Sequence, residues 1–122
     1  MSAMTGGRVD RPSVIALSNF CKELMTSTNV TWPACQTDSK ALAQFQAGRY
    51  EVWGIDLIIS HNDLVSEATT LDTKIDLGSD VRHPSVLEHK LEKIDPTKYD
   101  LPKNVLETGR NPMIEGAVKI LS

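Results

Sequence analysis

Aromatic side chains are scarce in this chain: Phe, Tyr and Trp together make up 5% of it. Its core must therefore be mainly aliphatic, because rings usually supply the largest single pieces of buried area. No apolar run approaches the roughly 20 residues of a membrane-spanning helix. Residues 1–13 carry Gly6, Gly7, Arg8, Asp10, Arg11 and Pro12 without an apolar centre, so nothing here resembles a secretory signal peptide. Cysteine is limited to Cys21 and Cys35, which form no C-x-x-C pair. Reduced thiols in a cytoplasm are a simpler reading than a disulfide framework. Charge of one sign is also lacking. The net charge is -3, and no two of the 13 basic residues are adjacent. Neither nucleic acid nor an anionic membrane is expected as a partner. G-x-G-x-x-G, the P-loop and G-x-S-x-G are all missing, which leaves nucleotide binding and serine hydrolysis without support.

What remains is one domain of 122 residues with 40% hydrophobic and 24% charged residues, an ordinary globular balance. The most informative stretch is Gly54–Asp72. An apolar run, Ile55–Ile59, meets a polar cluster with His61, Asp63 and Glu67. A buried strand that ends in a ligand-facing loop has this form in α/β proteins. Residues 1–11 read as a flexible start. Val14–Leu17 reads as a first buried strand and Phe20–Met25 as a short helix. Thr26–Pro33 reads as loop, with an extended step at Trp32 before the proline. A longer helix should begin near Thr37 or Asp38, place Leu42, Phe45, Val52 and Trp53 on one side and Lys40, Gln44 and Arg49 outward, and stop at Gly54. Val65–Leu71 is expected to make a helical turn or two. Thr73–Leu77 and Ser85–Leu91 are expected to pair as an irregular hairpin, with His83 and His89 solvated at its flanks. The last helix should start with Asn111 as N-cap and Pro112 at its first position. Ile114, Ala117, Val118 and Leu121 would then form one apolar face.

Four segments, in this order and spacing, resemble the uroporphyrinogen decarboxylase superfamily. They are D-R-P-S-V from Asp10, A-L-A-Q-F-Q-A-G-R-Y-E-V-W-G-I-D from Ala41, S-H-N-D-L-V-S-E-A-T-T-L-D from Ser60 and N-P-M-I-E-G-A-V-K-I-L from Asn111. Within that superfamily the E-L-M and W-P-A-C features of residues 23–35 are similar to the methylcobamide:coenzyme M methyltransferases. The likeness covers nearly the whole chain but only about the first third of the family's length. It implies a (β/α)8 TIM barrel, a fold that typically needs about 250 residues. Residues 12–122 are thus expected to be the N-terminal portion of such a barrel with an inserted β-hairpin, from a truncated or split enzyme.

The resemblance also implies roles. Asp63 matches the aspartate that contacts pyrrole nitrogens in the decarboxylases, where a carboxylate can accept several N–H bonds and stabilise a cationic intermediate. The plainer reading makes Asp63 a loop residue that caps the next helical turn. The decarboxylases' arginine-rich loop is replaced by Ser18-Asn19-Phe20-Cys21-Lys22. Lys22 lacks the guanidinium fork, which argues against a tetrapyrrole with many carboxylates. Asn19, Lys22, His61 and Glu67 remain candidates for facing substrate or cofactor. As a metal cluster, His61, Asp63 and Glu67 fit no common ligand spacing. Glu67 also has a plain reading, as half of a surface ion pair. Cys21 and Cys35 read as small hydrophobes, and Trp32 and Trp53 as packing residues.

In the methyltransferase branch, zinc held by an H-x-C pair and a later cysteine activates a thiol that attacks a cobalt-bound methyl group. Those ligands belong to the family's C-terminal half. No metal or cofactor is therefore expected in this chain, while zinc and a corrinoid partner are implied for the complete enzyme. The expected partners are a complementary barrel chain or a corrinoid protein, in an oligomer or hetero-complex. The alternatives are a non-catalytic binding or regulatory half-barrel and a degenerate decarboxylase.

Overall fold

The structure, a computed structural model, describes residues 5–16, 21–59, 64–88, 95, 97, 100 and 102–122. Its central element is α3, Ser39–Trp53, against which three other helices pack: α1 (Lys22–Thr28), α2 (Trp32–Cys35) and α5 (Asn111–Leu121). The local chemistry of α3 is as expected from sequence. The Asp38 carboxylate accepts from the Ala41 N–H at 2.7 Å and caps the first turn. Gly54 ends the helix in the left-handed region at φ 66, where a side chain would be strained.

Leu42, Phe45, Gln46 and Arg49 form the buried stripe of α3. Arg49, expected to point outward, is 0% exposed, while Val52 and Trp53, expected to be packed, are 49% and 38% exposed. All of these lie on one stripe at 3.6 residues per turn. The difference is cover, which reaches the early turns but not the last one. Glycine in a helix interior costs about 1 kcal/mol relative to alanine, and Gly48 has a packing reason. A Cβ there would sit 2.2 Å from the Thr28 side chain, so this glycine lets α1 and α3 approach closely.

α1 starts at Lys22 and runs to Thr28, later than expected from sequence; Phe20 lies outside the described residues. Its buried side chains are Leu24, Met25 and Thr28. α2 is a helical turn where a loop was expected. Thr31 accepts from the Ala34 N–H, and Pro33 falls in the first turn, where a missing N–H costs nothing. The residue before a proline disfavours helix. Here that preference yields to the burial of Trp32 and Cys35, both 0% exposed. The Trp32 ring meets Phe45 edge to face at 5.8 Å and His83 at 5.6 Å. His83 is exposed as expected, yet its ring packs against this tryptophan.

α5 begins at Asn111, with Arg110 rather than Asn111 in the N-cap position. The Asn111 side chain instead donates to the Val105 carbonyl at 2.7 Å, in the short 3₁₀ turn Val105–Glu107 that precedes the helix. Ala117 is fully buried, and Ile114 and Leu121 pack on the core as the apolar face requires, while Val118 is 43% exposed. The Ser39 hydroxyl donates to the Met113 carbonyl at 2.8 Å and ties α5 to the start of α3.

The small α4 (Ser66–Thr70) is followed by β1 (Ile75–Asp76) and β2 (Ser85–Val86). These two strands pair antiparallel with Ile75 opposite Val86 and Asp76 opposite Ser85. The hairpin is thus present but shorter than its apolar pattern implied, and His89 lies outside the described residues. Its tight end depends on Gly78 (φ 81), where a Cβ would lie 2.3 Å from the Arg82 carbonyl oxygen. Asp76 holds the turn by accepting from the Gly78 N–H at 2.8 Å and pairing with Arg82 at 2.6 Å.

The two expected barrel strands need correction. Among the described residues neither Val14–Ala16 nor Ile55–Ile59 is a strand; Leu17 lies outside them. One backbone bond joins the two segments, from the Asp56 N–H to the Val14 carbonyl at 3.0 Å. A parallel strand requires cover on both faces and partners along its edges. The described part of the chain supplies neither. It is a set of mixed helices with one small two-stranded sheet.

Candidate functional site

Two devices hold the segment Asp10–Ala16 against the end of α3. In the first, the Arg11 guanidinium grips the Asp56 carboxylate with both nitrogens, at 2.6 and 2.7 Å, while the Val14 N–H donates to the same carboxylate at 2.8 Å. The hydrogen bond from Arg11, and then the one from Val14, hold the Asp56 carboxyl below its ordinary range. A group whose folded pKa is depressed stabilises the fold above its unfolded pKa and loses that contribution as pH falls through the folded value. Arg11→Met should therefore melt below the unsubstituted chain above about pH 4, with the two curves converging in stronger acid. A constant gap in Tm down to low pH would contradict this. The clamp was not recognised from sequence, although an aspartate inside the apolar run Ile55–Ile59 signals a charge in need of a partner.

The second device is Arg49. Its Nη1 donates to Gln46 Oε1 at 3.0 Å, and its Nη2 donates to the Ala16 carbonyl. Burial pushes the Arg49 pKa down from its usual value. Ala16 immediately precedes residues 17–20. Arg49 therefore positions the root of the segment that holds Asn19.

Of the candidate residues named from sequence, Asn19, His61 and Asp63 lie outside the described residues. Lys22 is exposed at the start of α1. It borders a shallow groove of about 190 Å³ with Thr26, Asn29 and Thr31, facing Asp80 of the hairpin turn. Glu67 is exposed in the first turn of α4, and among the described residues it forms no ion pair. The N-cap position of α4 belongs to Val65, which provides no side-chain cap. The structure therefore does not bring Lys22 and Glu67 into one described cavity.

Among the described residues, no three of His, Cys, Asp and Glu come together as a metal site. Cys35 is buried in the core, and burial pushes its thiol up to about 12, the opposite of what a ligating or nucleophilic thiolate needs. Cys21 is half-buried and donates to the Glu23 carboxylate at 2.8 Å. That bond is the main cause of a lowered Glu23 pKa. Among the described residues, no helix is long and apolar enough to cross a membrane.

The described residues form a helical layer around α3, with two apolar segments gathered at its C-terminal end. The comparisons place it in a family. The chain belongs to the uroporphyrinogen decarboxylase (URO-D) family, whose profile matches residues 1–122. It is 35% identical over 119 residues to a methylated-thiol:coenzyme M methyltransferase of Methanosarcina mazei, a match covering 97% of this chain and 32% of that protein. The solved structure of a methyltransferase from Methanosarcina mazei superposes with a TM-score of 0.84 at 26% identity, covering 98% of this chain and 36% of that one. The chain thus spans about a third of the length of these relatives and corresponds to their N-terminal part.

Proposed function

We propose that this chain is the N-terminal part of a corrinoid-dependent methyltransferase that transfers a methyl group to a thiol, and that it is inactive by itself. The supporting observation is the 35% identity to a methylated-thiol:coenzyme M methyltransferase across 97% of the chain. In this reading residues 12–122 are the first portion of a cytoplasmic (β/α)8 barrel. A complementary barrel portion and a corrinoid protein are its partners. The described donor set does not fit zinc: Cys35 sits in the hydrophobic core and no ligand cluster forms. The zinc and the corrinoid implied by the family would be held by other parts of the complete enzyme.

The contribution of this portion is to shape the wall of the site. Arg49 and the Arg11–Asp56 clamp hold Ala16 and Asp56, which precede in the chain the segments containing Asn19 and His61 with Asp63. Lys22, Glu67 and these three residues are the candidates for facing substrate or cofactor. A test is to replace the matched third of the Methanosarcina mazei relative with residues 1–122 and assay methyl transfer from a methylated thiol to coenzyme M. An active hybrid supports the reading; a hybrid that folds and binds coenzyme M but transfers no methyl group contradicts it. In that hybrid, Asp63→Ala should leave the thermal midpoint within about 1 °C, a surface-like change, while lowering activity or ligand binding. A large drop in Tm with normal activity would instead assign Asp63 a structural role.

A further inference from the structure

We propose that Thr69, held by Gly109 and Arg110, is a positioning residue for the segment that contains His61 and Asp63; the inference rests on the site reading given above. That segment follows Asp56, which the Arg11 clamp holds, and precedes α4, which starts at Ser66. The chain enters α4 through Val65 and Ser66, both buried, directly after the exposed Leu64. α4 has five residues and no side-chain cap, and a helix that short is not stable on its own. Its placement depends on distant parts of the chain.

The strongest of those attachments is the turn before α5. Gly109 has φ 58, and a Cβ there would lie 2.4 Å from Thr69 Oγ1, 2.6 Å from the Thr69 carbonyl carbon and 2.7 Å from the Thr70 nitrogen. The entry to α5 therefore lies with its backbone directly on α4, an approach that any side chain would block. The Arg110 N–H donates to Thr69 Oγ1 at 3.0 Å, and the same hydroxyl donates to the Ser66 carbonyl at 2.6 Å. Arg110 is fixed in turn. Its Nε donates to the Gln36 carbonyl at 3.0 Å and its Nη2 to Gln36 Oε1, and Gln36 is buried where α2 ends. Hydrogen bonds thus run without a break from Gln36 through Arg110 and Thr69 to the first residue of α4.

Residues that bind or react are commonly carried on segments whose ends a rigid scaffold fixes. Here the lead-in is tied to Val14 through Asp56, and the exit is tied to α2 and α5 through Thr69. Thr69 has no assigned contact with substrate and acts by placement alone. Placement matters because an error of about 1 Å at a reacting group can cost about a hundred-fold in rate.

The test uses Thr69→Val, which keeps the shape of the side chain and removes the hydroxyl. Thr69→Ser is the conservative variant that keeps it. Ser39→Ala is the control: it frees α5 from α3 at Met113 and leaves this joint intact. In the 122-residue chain, Thr69→Val should shift the amide NMR signals of His61 and Asp63, whereas Thr69→Ser and Ser39→Ala should leave them in place. In the methyl-transfer hybrid, Thr69→Val should lower kcat/KM about ten-fold or more, and Thr69→Ser should restore it. Combined with Asp63→Ala, Thr69→Val should add no further loss, since the two changes act through one residue. The inference is overturned by signals that Thr69→Val does not move, by equal shifts with Ser39→Ala, by losses that multiply with those of Asp63→Ala, or by a loss with Thr69→Val where Asp63→Ala causes none. An active hybrid with unmoved signals keeps the function and removes this role of Thr69. An inactive hybrid removes the function, and signals shifted by Thr69→Val alone then still support the placement of the segment by Thr69.

Discussion

Trp32→Ala should remove about 3–5 kcal/mol of folding stability, the range for deleting a fully buried large aromatic. Stabilities of small domains are about 5–15 kcal/mol, so this single change can leave the chain largely unfolded at room temperature. Trp32 is the largest fully buried side chain, at 0% exposure. It belongs to the core with Leu24, Cys35, Leu42 and Phe45, and its ring is flanked edge-on by Phe45 and His83. The cost depends on how far the flanking Phe45 and His83 rings relax into the space. Trp32→Phe keeps most of the apolar area and should cost roughly half as much. Urea unfolding followed by circular dichroism measures both variants. The remaining tryptophan, Trp53, at 38% exposure, provides a fluorescence probe at the far end of α3. A loss below about 1 kcal/mol for the alanine variant would mean that the site collapses around the cavity and that Trp32 does not organise the core.

The parts of the fold that could be read from sequence are those set by local chemistry. Asp38 and Gly54 bracket α3 as expected, because a cap and a left-handed glycine act on their own turns. The α5 pattern was also legible from its spacing, although its cap lies one residue earlier, since the Asn111 side chain goes to Val105. What could not be read depends on distant partners. Ile55–Ile59 has strand composition, but composition cannot supply neighbouring strands, and these residues form no ladder here. Arg49 has the charge of a surface residue on a stripe whose other buried members are uncharged, and only the tertiary position of Ala16 shows why it is buried. For the site, the family likeness indicated the loops that follow the apolar runs, while the described geometry shows what anchors the roots of those loops.

Arg49→Ala is expected to cost about 3 kcal/mol or more, and the comparison with Arg49→Met shows why. The side chain is fully buried, and its described acceptors are both neutral: the Gln46 amide oxygen and the Ala16 carbonyl. A guanidinium stays charged at neutral pH even when burial lowers its pKa. The charge therefore loses hydration, and charge-assisted hydrogen bonds, each worth about 1.5–3 kcal/mol, offset that loss. Methionine keeps most of the volume and removes the charge together with its desolvation cost. It leaves the buried Gln46 oxygen and the part-buried Ala16 carbonyl without this donor, so a loss of about 1–3 kcal/mol is expected. Alanine adds a cavity beneath Val14–Ala16, hence the larger effect. Both variants should also speed amide exchange at Asp56, whose N–H is held by the segment that Arg49 anchors at Ala16. If Arg49→Met proves more stable than the natural chain and Asp56 exchange is unchanged, desolvation outweighs the hydrogen bonds and Arg49 does not anchor this segment. If Asp56 exchange rises while the helices remain protected, the loss is confined to the junction between α3 and Val14–Ala16, where the route to Asn19 begins.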